Sequence, residues 1–99
     1  MADFPRFGVT QAVAFTASSA GAANPFGGLT REIRLVANAA CHIRIGDGAQ
    51  AATTADPFLP AELIETVIVT PGQRIAAVRA ATGGDITAAD GTLWVTELT

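Results

Sequence analysis

Ninety-nine residues, 49% of them apolar, with a formal net charge of −3, describe one small acidic domain. All six cations are arginine and neither lysine nor tyrosine occurs, so no basic stripe is on offer to a nucleic-acid backbone. No apolar run approaches the ~18 residues of a membrane span, no secretory leader is expected after Met1, and Cys41, the single cysteine, has no disulfide partner in the chain, which suits synthesis in a reducing cytoplasm.

Residues 1–8, MADFPRFG, have Pro5 and Gly8 but no period and read as an N-terminal arm. Phe4 and Phe7 are large apolar groups on this terminus. They either fold back on the domain or dock on a partner. Residues 9–99 read as one β-sandwich domain. Val9 to Thr16 alternates Val9, Gln11, Val13 and Phe15 against small or polar neighbours, the period of a strand. Residues 17–28, ASSAGAANPFGG, are small, polar and glycine-rich, and read as a long loop with Phe26 as its one aromatic anchor.

Residues 31–48, REIRLVANAACHIRIGDG, hold two alternating runs separated by Asn38-Ala39-Ala40. Ile33, Leu35 and Ala37 share a phase in the first run, and Cys41, Ile43 and Ile45 in the second. The spacing predicts a hairpin that sets Ile33 opposite Ile45 and Leu35 opposite Ile43. Arg34 and Arg44 would then oppose each other on the outer face and repel unless a carboxylate intervenes.

Residues 61–70, AELIETVIVT, admit a helix opened by Pro60 or a strand, and the β-branched run from Thr66 favours the strand. Thr70-Pro71-Gly72-Gln73 is a type II turn by composition. Arg74 to Ala80 and Thr92 to Leu98 read as strands, with a single helical turn expected at 86–89 between them. About six to eight short strands with frequent turn signals, and no long helical period, predict an all-β fold: a small antiparallel β-sandwich or jelly-roll-like barrel.

Two of these strands are apolar on both faces. Leu63, Val67 and Val69 share one side, and Ile64 and Ile68 the other. Leu93 and Val95 share one side, and Trp94 and Leu98 the other. Either a loop of the same chain covers the second face or another chain does. On the second reading Ile64, Ile68, Trp94 and Leu98 form a subunit interface, and the chain is a homo-oligomer.

No catalytic set emerges, and the chain is not expected to be an enzyme or to carry a cofactor. Cys41 and His42 are neighbours on a strand and so point to opposite faces, which rules out a nucleophile–base pair. One histidine cannot supply the ligands of a metalloenzyme site. Asp85 and Asp90 lack the dense alternating carboxylates of a calcium loop. Glu62 and Glu65 do not share a strand face.

The stretches REIRLVANAACHIRIGDG (31–48), FLPAELIETVIVTPGQRIAAVRA (58–80) and GTLWVTEL (91–98) resemble small β-sandwich virion proteins of tailed bacteriophages. The resemblance spans about residues 30–98 and rests on strand patterns and turns. It implies a non-enzymatic structural protein of the particle, in capsid decoration or at the base of a head fibre, made in the host cytoplasm. By the same likeness the homo-oligomer is expected to be a trimer that contacts other virion proteins such as the major capsid protein. Phe4, Phe7, Arg34 and Arg44 are then candidate docking residues, the two arginines facing an acidic neighbour or else forming ordinary surface ion pairs. A small tail or baseplate component, or a glycan-binding β-sandwich module using Trp94, is the alternative.

Overall fold

The structure, a computed structural model, describes residues 6–98. Phe4 therefore lies outside the described residues. The described chain is all β: β1 (Phe7–Phe15), β2 (Ala20–Gly21), β3 (Glu32–Ala37), β4 (Cys41–Gly46), β5 (Phe58–Leu59), β6 (Glu65–Ile68), β7 (Arg74–Arg79) and β8 (Gly91–Leu98). They form two four-stranded antiparallel sheets, the first in the order β1-β8-β3-β6 and the second β2-β7-β4-β5. The pairs β1/β8, β2/β7, β3/β6 and β4/β5 nest like the two arms of one long folded ribbon. Wrapping that ribbon around a core is the jelly-roll arrangement.

The alternating runs place the core where their phase requires. Val13, Phe15, Ile33, Leu35, Ala37, Leu93 and Val95 point inward from the first sheet, and Cys41, Ile43, Ile75 and Ala77 from the second. Phe15, Ile33, Leu35, Ile75 and Leu93 are among the largest fully buried side chains, each contributing about 1.5–3 kcal/mol relative to an exposed position.

The expected hairpin does not form. β3 pairs with β8 and β6, whereas β4 pairs with β7 and β5. The segment 38–40 is instead a corner where the chain leaves one sheet for the other. Asn38 fixes that corner, its Oδ1 accepting from Thr92 N at 2.8 Å and its own N donating to Thr92 O at 3.2 Å. Gly91 is required beside it, because a Cβ there would lie 2.6 Å from Asn38 Oδ1 and 2.8 Å from Phe15 Cζ. The predicted facing of Arg34 and Arg44 falls with the hairpin, since the two residues lie in different sheets.

Other boundaries differ as well. β1 begins at Phe7, so the last two residues of the expected arm belong to the domain's first strand. Phe7 pairs with Leu98 but Thr10 with Thr96, so β1 carries one extra residue there. This bulge reverses the alternation: Phe7, in phase with inward Val13 and Phe15 by sequence, is turned outward and 75% exposed. The long loop and the stretch before Pro60 each contain a two-residue strand, β2 and β5. Glu62 has φ 61°, which no right-handed helix admits, and its N donates to Ala37 O at 2.7 Å, so residues 61–62 turn and the strand starts only at Glu65. Residues 86–89 form no helical turn; Ile86 bridges back to Gly83. The type II turn is present, with Gly72 at φ 85° and Gln73 N donating to Thr70 O.

Candidate docking face

The outer faces of the two sheets differ. On the second sheet, Ala76 and Val78 point away from the core, yet both are buried, beneath Ala52. The loop after β4 folds across them. Ala52 N donates to Ser19 Oγ at 2.7 Å, His42 Nδ1 bonds Asp56 O at 2.7 Å, and Thr53 N donates to Asp56 Oδ2 at 2.8 Å. Arg44 belongs to this system. Its Nε donates to Gln50 Oε1, and its guanidinium pairs with Asp56 at 3.4 Å. Arg44 thus pins its own chain's loop, an ion pair of the ordinary surface kind, worth about 0.2–1 kcal/mol.

The first sheet has no such cover among the described residues. Registers set its outward side chains in three rows across the strands. The first is Phe7, Leu98, Glu32 and Ile68; the second is Thr10, Thr96, Arg34 and Thr66; the third is Ala12, Trp94 and Val36. Ile64, just before β6, continues the third row by alternation. Ile68 is 83% exposed, Ile64 55% and Trp94 38%, and Leu98 and Val36 are half-buried. All four residues expected at an interface, together with Phe7 and Arg34 from the docking set, lie on this one face. Arg44 does not.

Arg34 lies at the middle of the face. Its guanidinium reaches across β8 to the Phe7 ring, 5.7 Å from the centroid, a cation–π contact of about 0.5–1 kcal/mol when exposed. Among the described residues the ion pairs are Arg44–Asp56 and Arg79–Asp90, so neither Arg34 nor Glu32 joins one there. The face therefore combines unburied apolar rows with one cation and one anion two residues apart.

Several of the remaining chemistry-bearing groups are engaged within the fold, whereas the side chains of Glu62, Glu65 and Asp85 are exposed. Cys41 is fully buried, and burial pushes its thiol up from 9.0 to about 11. His42 projects from the other side of β4 and packs against Phe58 at 5.4 Å. Asp90 pairs with Arg79 at 2.9 Å, and the described residues contain no group of three or more potential metal ligands. A cleft of about 420 Å³ lies between the 38–40 corner, Phe58 and the 85–89 segment, with walls mainly of alanine, Pro60 and Ile86.

One buried polar side chain escaped the sequence reading. Glu97 shares the inward phase of Leu93 and Val95 and is 7% exposed. Its Oε1 accepts from Gly27 N at 3.1 Å and from the buried Thr30 hydroxyl, tying the 26–30 loop to β8. A carboxylate in core phase was the available signal, since such a group is kept inside only when hydrogen-bonded. Comparison with known protein families, with curated proteins and with solved structures found no match.

Proposed function

We propose that this chain is a non-enzymatic structural protein of a bacteriophage particle, acting in capsid decoration or at the base of a head fibre. The observation that carries the structural role is the asymmetry of the two outer faces. One is closed by the chain's own loop over Ala76 and Val78, and the other presents Phe7, Ile64, Ile68 and Trp94 to solvent. An apolar sheet face left open in a domain this small is a surface for another protein. The particle setting is supported by the resemblance of the stretches 31–48, 58–80 and 91–98. The protein would be made in the host cytoplasm and act on the virion, against neighbours such as the major capsid protein.

Mass spectrometry of purified particles tests the proposal. The expected result is the chain at many copies per particle; its absence from particles overturns the reading. Labelling on tails rather than heads would move it to a tail or baseplate component. Specific binding on a glycan array that is lost in Trp94→Ala would replace it with a glycan-binding module.

A further inference from the structure

We propose that the outer face of the first sheet binds a second copy of itself, across a two-fold axis lying in the interface, parallel to the strands and between β8 and β3. The proposal rests on the structural reading above and names the partner of that face. The rows across the sheet select this axis. It lays β8 of one copy over β3 of the other and β1 over β6, keeping each row on itself. Phe7 then meets Ile68 of the second copy, and Trp94 meets Val36.

The charges agree with the same placement. Glu32 of one copy lies over Leu98 of the other. Arg34 already extends from β3 across β8 toward Phe7, and Phe7 is the register partner of Leu98. Its guanidinium therefore arrives at Glu32 of the second copy, and the symmetry makes this contact twice. An axis over β3 itself would set Arg34 against Arg34 and Glu32 against Glu32, which repel. Two-fold contacts are isologous, so one cation and one anion on the same patch suffice to complement each other. This assigns a two-fold pair where the family resemblance suggests a trimer.

The area sets the size class of the contact. Four strands about 4.8 Å apart, over about six residues of about 3.3 Å, give a footprint on the order of 400 Å² per partner. That is about half of a standard interface, the size class of weak, transient contacts, so the pair is expected to be concentration-dependent. Aligned face-to-face packing of twisted sheets accommodates it.

Sedimentation equilibrium of the purified chain from about 1 to about 500 µM, concentrations at which a weak pair is detectable, should show a monomer–dimer equilibrium. Arg34→Glu and Glu32→Arg, each on the solvent side of β3, should each weaken the dimer at least about tenfold, as expected for reversing a paired charge. Mixing the two variants should restore association, because each then offers the charge the other lacks, and the double variant Glu32→Arg/Arg34→Glu should restore it within one chain. Ile68→Ser, at a position 83% exposed, leaves the monomer's packing alone and should also dissociate the pair. A wild-type chain that is monomeric throughout the range overturns the proposal. So do single charge variants that dimerise like wild type. Either result leaves the particle assignment to its own mass-spectrometric test, and loss of the chain from particles would leave the dimer measurement standing.

Discussion

Raising the pH from 9 toward 11 titrates a single kind of side chain in this protein, the thiol of Cys41. The sequence has no tyrosine and no lysine, the other side chains that ordinarily titrate near this window. Cys41 is 0% exposed in β4, and burial raises its thiol from 9.0 in the open chain to about 11 in the fold. Between those values the unfolded chain has lost the proton and the native chain keeps it. The native state binds more protons, so stability falls as pH rises, and it is undiminished below pH 9. Two units correspond to about 2–3 kcal/mol. With a urea m-value of about 1 kcal/mol/M for a chain this small, the denaturation midpoint should fall by about 2–3 M across the window. The fluorescence of Trp94, the only tryptophan, reports unfolding at fixed low protein concentration. Cys41→Ala should start lower, having lost packing, and then stay level from pH 9 to 11. A wild-type midpoint that does not move, or an equal decline in Cys41→Ala, would refute the burial argument.

Three further outcomes follow from the packing. Leu35→Ala should cost about 2–5 kcal/mol by chemical denaturation, as a fully buried large-to-small change, while Arg34→Ala on the opposite side of β3 should change stability by less than about 1 kcal/mol; equal losses would mean that the assignment of faces is wrong. Glu97→Ala should destabilise by about 1–3 kcal/mol, because Gly27 N and the Thr30 hydroxyl lose their acceptor, and Thr30→Val in that background should add little. Asp56→Ala should leave the denaturation midpoint nearly unchanged but speed limited proteolysis within residues 49–57, since the loop over Ala76 and Val78 loses its contacts to Arg44 and Thr53; unchanged cleavage would show that burial of Ala52 alone holds the loop.

The residue pattern by itself determined which side chains of β3, β4 and β8 face inward and that the fold is all β. Ile33, Leu35, Cys41, Ile43, Leu93 and Val95 are buried as their alternation requires, because a strand allows its side chains only two directions. The same alternation marked the candidate docking face, by giving Ile64, Ile68, Trp94 and Leu98 a phase the core does not use. What it could not determine was the partner of each strand. Period two is satisfied equally by β3 pairing with β4 in one sheet and by the two facing each other across a sandwich, since both bury the same side chains. Tertiary structure decided for the second. The Asn38 corner, held to Thr92, turns the chain into the other sheet, and that removes Arg34 from Arg44 and gives each a separate role. The outward turn of Phe7 was equally out of reach, because the bulge that produces it depends on the register of β1 against β8. Which outer face stays open was also a tertiary matter. A polar-looking loop, residues 49–57, covers Ala76 and Val78, and it is held there by His42 and Arg44 on β4 and by Ser19 beside β2, distant stretches of the chain that come together only once the second sheet has formed.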